Sequence, residues 1–198
     1  MNKKMKKPKI KGIGLIVEDI SDFNSFKILI SRIIEKNNLR FRPANGKGCG
    51  KMKRKAASYA RNLHLKGCNL IILIHDLDKN IESDLEKELS AIISQSPAKH
   101  NLVCIPKEEI EGWFLSDPAG LKEIFTLKRA PKVKGNPENI TSPKEYLVKQ
   151  IPLCSGKTKV YLNTKHNELI SESICLDKMS QKCESFKKLR DKLLEYSY

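Results

Sequence analysis

A chain of 198 residues with 39% hydrophobic content suits one domain, or a core with an appendage, and is too apolar to be a disordered chain. No apolar run approaches the roughly 20 residues of a membrane span, so a transmembrane helix is excluded. The formal net charge of +15 favours a polyanionic partner, nucleic acid or an anionic surface.

Residues 1–9 read as a flexible basic arm. Their charge is that of an export-signal n-region, but residues 10–17 carry Lys11 and two glycines and no small-residue cleavage site follows. The expectation is a cytoplasmic protein. Six scattered cysteines without a Cys-x-x-Cys spacing fit this as reduced thiols.

Residues 10–17 predict a first strand. Glu18-Asp19-Ile20-Ser21-Asp22 follows, with Ser21 as the expected cap of a helix in which Phe23, Phe26, Ile30, Ile33 and Ile34 recur at helical spacing. Asn37-Asn38 ends that helix. Residues 39–43 predict a second strand, 45–50 a glycine-rich loop, and 51–65 a basic helix stopped near Gly67. Residues 69–74, a run of leucine and isoleucine, predict a fully buried third strand. A helix with an acidic first turn is expected over 81–94, and a fourth strand over 101–105.

The order β-α-β-α-β-α-β predicts an α/β core over residues 10–105. It is Rossmann-like, with about four mainly parallel strands flanked by helices and joined by right-handed crossovers. Residues 106–198 read as a mainly helical C-terminal extension packed on the core. Helices are expected over 109–115, from Asp117-Pro118 onward, over 143–151 and over 184–196. Residues 128–143 hold three of the nine prolines and predict a loop. The stretch between 151 and 184 is ambiguous.

Glu18 ends the first strand, and His75-Asp76-Leu77-Asp78 ends the third. Parallel strands bring such ends to one rim, where ligands of α/β sheets bind. Converging carboxylates raise one another's pKa. A hard divalent cation, Mg²⁺ or Mn²⁺, removes that cost and serves phosphoryl chemistry. The alternative is that Asp76 and Asp78 cap the next helix while Glu18 faces solvent. Glu109 and Glu111 follow the fourth strand to the same rim, as a further ligand or base, or as first-turn charge on a helix.

The 45–50 loop brushes against a phosphate-binding Walker A pattern but fails it. Asn45 stands where the first glycine should be, and Met52 where Ser or Thr should hold Mg²⁺. What remains is an anion site of backbone N–H groups and a helix N-terminus, extended by Lys47, Lys51, Lys53, Arg54 and Lys55, or else a solvated basic helix. His75 is a ligand or a satisfied histidine; Trp113 is core or a base-stacking platform. Gly12 and Gly14 lie inside a strand, so a dinucleotide fingerprint is rejected.

Leu15-Ile16-Val17-Glu18 together with Leu73-Ile74-His75-Asp76-Leu77-Asp78 resembles the TOPRIM domain of topoisomerases, primases, OLD-family nucleases and an rRNA-maturing ribonuclease. That family places a glutamate after its first strand and Asp-x-Asp after its third. Here Asp19 stands where a glycine usually follows the glutamate, and Asp22 matches a common later acidic position. Residues 109–117, Glu-Ile-Glu-Gly-Trp-Phe-Leu-Ser-Asp, and residues 183–189, Cys-Glu-Ser-Phe-Lys-Lys-Leu, are similar to segments of small TOPRIM-like bacterial proteins of unassigned function.

The resemblance implies a Mg²⁺- or Mn²⁺-dependent nuclease acting on DNA or RNA. Glu18, Asp76 and Asp78 would be catalytic and hold metal, with Glu111 as an additional ligand; Lys47, Lys51, Arg54 and Lys55 would contact phosphate. It further implies a phage-defence or mobile-element setting, sometimes beside a partner ATPase. No catalytic tyrosine is identifiable, which disfavours the topoisomerase branch. Two other readings stay open: a non-catalytic module binding nucleic acid or an ATPase, and a phosphoryl-transfer enzyme on a small nucleotide.

Overall fold

The computed structural model describes residues 7–36, 38–46 and 48–198. Four strands, β1 (Gly12–Val17), β2 (Arg40–Asn45), β3 (Leu70–Ile74) and β4 (His100–Cys104), form one wholly parallel sheet in the order β2-β1-β3-β4. β1 and β3 are interior and buried at every position, which explains their unbroken apolar runs. β2 is an edge strand and carries Pro43, which a central strand would not tolerate.

Alternate residues of the interior strands feed two cores. Ile16, Ile71 and Leu73 face α2 (Cys49–Leu65) and α3 (Glu82–Ile93). Leu15, Val17, Leu70, Ile72 and Ile74 face α1 (Ile20–Ile34) and the C-terminal helices. These are α4 (Ile110–Phe114), α5 (Pro118–Phe125), α6 (Pro143–Ser155), α7 (Asn163–Ser173), α8 (Leu176–Lys182) and α9 (Glu184–Leu194). One cluster of buried side chains on that face runs from Ile10 to Leu193, so the extension and the α/β core share a core.

The helix faces follow from strand order and the right-handed crossover rule. The chain steps from β1 outward to β2, then back past β1 to β3 and on to β4. Reversing direction moves the crossover helix to the other face, which separates α1 from α2 and α3. The reversal also makes the gap between β1 and β3 the topological switch point. Gly14 lets α2 approach β1 there, since a Cβ would stand 2.9 Å from side chains of both Leu63 and Ile71. Gly46 is required for the same reason: a Cβ would lie 2.5 Å from the Met52 Cα, inside the first turn of α2.

Several boundaries differ from expectation. β1 starts at Gly12 rather than residue 10, and β2 runs on to Asn45. Cys49 and Gly50 belong to α2, not to the loop. Ser21 does not cap α1. Asp19 does: its Oδ1 accepts from the N–H of Ser21 (2.7 Å) and Asp22 (3.2 Å), while Asp22 Oδ2 accepts from the Asp19 N–H (3.2 Å). Ser21 is already inside the first turn, and this reciprocal box satisfies three N–H groups where a serine cap satisfies one.

In the extension, α6 runs four residues past Ile151 to Ser155. Within the expected 128–143 loop lies one 3₁₀ turn, Pro137–Asn139, and α7 and α8 fill the ambiguous stretch. Trp113 is fully buried; its Nε1–H donates to Ser185 Oγ (2.7 Å), and it meets Phe26 and Phe186 edge-on at 5.6 and 5.2 Å. Glu138 caps α9 by accepting from the N–H of Glu184 (2.7 Å) and Ser185 (3.1 Å). The segments 109–117 and 183–189 therefore meet across the core.

Residues 1–6 of the expected arm lie outside the described residues. Residues 7–9 are not free: Ser197 N–H donates to the Pro8 carbonyl (2.9 Å), and Ile10 N–H donates to the Ser197 carbonyl (2.7 Å). The side chains of Cys68, Cys104, Cys154, Cys175 and Cys183 are unbridged. Among the described residues no helix is long and apolar enough to cross a membrane.

Candidate active site

At the switch point, a cavity of about 240 Å³ opens beyond the carboxyl ends of β1 and β3. Seven acidic side chains line it, and among the described residues Lys144 is the one lysine or arginine that does. This acidity stands out in a chain of net charge +15.

β1 delivers Glu18, exposed at the mouth, and α1 adds Asp19 and Asp22 from the capping box. β3 delivers Asp76 and Asp78. The turn after β3 is stitched to the segment after β4, since His75 N–H donates to the Cys104 carbonyl (3.1 Å) and Leu77 N–H to the Pro106 carbonyl (2.9 Å). Asp76 is thereby half-buried, and Asp78, at φ 48°, is exposed in a left-handed turn. Neither aspartate caps α3, whose N-cap is Ile81 with no side-chain hydrogen bond. The capping alternative for these two residues therefore fails.

The segment after β4 adds Glu109 and Glu111. Glu111 is 3% exposed, and its Oε1 accepts from the Tyr161 hydroxyl (2.7 Å) and Asn167 Nδ2 (3.1 Å). Tyr161 also bonds the Asn167 side chain. Burial, then the Glu111 charge, pushes the Tyr161 phenol far up, so it stays a donor. Glu109 has a different task. Its Oε2 accepts from Lys144 N–H (3.0 Å) in the first turn of α6, and its Oε1 lies 3.6 Å from Lys144 Nζ. It anchors α6 while still lining the acidic cavity.

The electrostatics record the crowding. Burial first, then the charges of Asp22, Glu111, Asp78 and Glu109, hold the Asp76 carboxyl well above the usual carboxylate range. Burial first, then Asp19, pushes Asp22 up to about 7, against the lowering effect of the Asp19 N–H. These carboxyls resist ionisation because burial and neighbouring carboxylates both penalise the charged form. His75 is 5% exposed and bonds the Asp76 carbonyl through Nδ1 (2.6 Å), so Nδ1 carries a proton.

A second cavity of about 540 Å³ shares His75 and Asp78 with the first, so the two are contiguous. Gly50, Lys53 and Arg54 from the first turns of α2 line it, with Lys53 paired to Glu88 at 2.6 Å. The α2 N-terminus has no side-chain cap. Lys51 and Lys55 are exposed on the same turns and line neither cavity. Lys47 lies outside the described residues.

The donor set is all carboxylate oxygen, which suits Mg²⁺ or Mn²⁺ rather than a softer metal. Among the described residues no three His, Cys, Asp or Glu side chains stand as a ready metal cluster. The residues therefore fit a hard cation by chemistry and by missing positive charge, and not as a closed cage. Glu18, Asp76, Asp78 and Glu111 do share the cavity, as their positions on the rim imply. Asp22, Lys144 and Asn167 line it with them, and Tyr161 stands behind Glu111; of these only Asp22 was marked in the sequence. Its mark was the match to a common later acidic position of the resembled domain; the Asp-x-x-Asp spacing of a capping box was a second signal.

Residues 17–194 match the model of the family described as Domain of unknown function (DUF4276). The chain belongs to this family. The DUF4276 match begins on the last residue of β1 and ends at the last residue of α9, so it spans every acidic side chain of the cavity together with Lys144, Tyr161 and Asn167. No curated protein and no solved structure matches the chain.

Proposed function

We propose that this protein is a divalent-cation-dependent nuclease of TOPRIM type, cleaving phosphodiester bonds of DNA or RNA. The observation that carries the reading is Asp76. It is half-buried at the switch point among Asp22, Glu111 and Asp78, has no capping duty, and is costly to ionise without a cation.

Asp76, with Glu18, Asp78 and Glu111, would hold Mg²⁺ or Mn²⁺, and Asp22 lies beside them. When bound, the cation polarises the phosphate and lowers the pKa of a coordinated water. Tyr161 and Asn167 fix the Glu111 carboxylate so that it does not reorient during turnover. If Glu18 does not ligate the cation, its exposed position suits it as the base that takes the proton of the attacking water. Arg54 and the α2 N-terminus neutralise the phosphate in the adjoining cavity.

A small-nucleotide substrate is less favoured by composition: seven carboxylates, His75, Lys144, Asn163 and Asn167 dominate the acidic cavity, where small-molecule pockets are lined mostly by apolar side chains. The test is cleavage of plasmid, single-stranded DNA and total RNA with Mg²⁺ or Mn²⁺, wild type against Asp76→Ala and Glu18→Gln. Each substitution is expected to lower the rate by about 100-fold or more. Unchanged cleavage in both variants overturns the assignment. Nucleic-acid binding by a wild type that cleaves none of the substrates favours the non-catalytic reading.

A further inference from the structure

β4 is the sheet's second edge strand and lies outside the acidic cavity of the candidate active site. Two hydrogen bonds fix its phase. His100 N–H donates to the Asn69 carbonyl (3.2 Å), and the Cys104 carbonyl accepts from His75 N–H (3.1 Å). Residues 100, 102 and 104 therefore bond toward β3, and in a parallel ladder the residues between them turn their backbone groups the other way. The N–H and C=O of Asn101 and Val103 face outward, and no hydrogen bond to them is made among the described residues.

A bare edge of this kind invites another strand, and proteins ordinarily blunt it. Here α3 and α9 rise on its two sides and leave a groove of about 470 Å³ whose floor is the β4 backbone. Leu102, Val103, Ile105 and Leu189 supply apolar surface within it. Asn101 also lines the groove, and its Oδ1 has no hydrogen-bond partner. The walls carry Glu82, Glu86, Asp191 and Glu195 against Lys188 and Lys192, a net of −2 on a chain of +15. Lys188 and Lys192 are committed to Glu82 (2.9 Å) and Glu195 (3.1 Å), while Glu86 makes no ion pair among the described residues.

We propose that this groove binds an extended segment of a partner protein by strand addition to β4, and that the segment alternates apolar with lysine or arginine side chains. Main-chain bonds to Asn101 and Val103 supply affinity, and the groove floor and acidic walls select the side chains. Charge decides against a second copy of this chain as occupant, because edge-to-edge pairing of two copies faces two net-negative grooves.

The test is fluorescence anisotropy with a fluorescein-labelled peptide of alternating valine and lysine, and with its valine–glutamate counterpart. Wild type is expected to bind the lysine peptide saturably and the glutamate peptide at least about tenfold more weakly. Val103→Pro removes an outward N–H that takes no part in the ladder, so the strand survives. It is expected to weaken binding about fivefold to tenfold, the value of one or two hydrogen bonds. Glu86→Lys with Glu195→Lys changes exposed residues only and is expected to do the same, which keeps the test valid if Val103→Pro unfolds the chain. Equal affinity for both peptides, or undiminished binding in the variants, overturns the proposal. So does a wild-type dimer in light scattering that Val103→Pro dissociates with no peptide bound, since the occupant is then a second copy.

Discussion

Asp76 and Asp22 carry the consequences that belong to single residues. Folding raises both carboxyl pKa values, so the folded protein binds protons that the unfolded chain releases. The stability this contributes is complete below about pH 4, the unfolded value, and is lost as pH rises toward about 7 for Asp22. In chelator, the melting temperature of wild type relative to Asp22→Asn is therefore expected to fall across that window, and Mg²⁺ is expected to shrink the fall. A flat difference would show that Asp22 is not strained in the fold. Asp76→Asn removes the most crowded charge. It is expected to raise the melting temperature of the metal-free protein while abolishing cleavage, a pairing that simple loss of structure does not produce.

Glu111 adds a residue-scale test of positioning. Tyr161→Phe deletes the 2.7 Å hydrogen bond to its Oε1 and the hydroxyl's bond to Asn167, leaving Asn167 Nδ2 as the remaining donor to Glu111. Mn²⁺ affinity by calorimetry is expected to fall about tenfold, beyond the modest fall in melting temperature that the lost buried bonds cause. An unchanged affinity would remove Glu111 from the ligand set.

At the scale of elements, carboxylates do two kinds of work. Asp19, Glu138, Asp117 and Glu109 sit at helix N-termini and satisfy N–H groups. Among the described residues Asp76 and Asp78 satisfy none, and that contrast is why they are proposed as ligands. Glu138 is the cap with most at stake, because Ser185, which it holds, also receives the Trp113 Nε1–H. Glu138→Ala strands these donors in the core and is expected to cost about 1–3 kcal/mol in urea unfolding. A loss under about 0.5 kcal/mol would mean that water replaces the cap. α2 is the converse case. It starts with Lys51, Lys53 and Arg54 at the end where the helix dipole disfavours cations, and with no side-chain cap. That arrangement suits a helix end that meets phosphate.

At the scale of the molecule, a strongly basic chain encloses an acidic cavity. Under the proposed function, the outer charge would concentrate polyanion, and a cation would fill the cavity before a phosphate approaches. Nucleic-acid affinity is expected to fall steeply with salt, by roughly 0.9 log units per decade for each phosphate contacted. A shallow slope would point to a small substrate.

The alternation of strands and helices along the chain and the rim carboxylates Glu18, Asp76 and Asp78 were legible because they depend on local signals: short apolar runs, helical spacing, and acids at strand ends. Parallel geometry then places those acids together without further information. Caps were misread where side chains compete over two or three residues, as at Asp19 and Ser21. The tasks of Glu109 and Glu111 were beyond reach because their partners, Lys144, Tyr161 and Asn167, are 35 to 56 residues away and carry no local mark. The sequence by itself determined that an acidic rim exists at the ends of β1 and β3, since pattern and period dictate strands and strands dictate their rim. Only the tertiary structure decided that Glu109 anchors a helix while Glu111 is held by Tyr161 and Asn167, because those bonds form when α6 and α7 pack against the sheet.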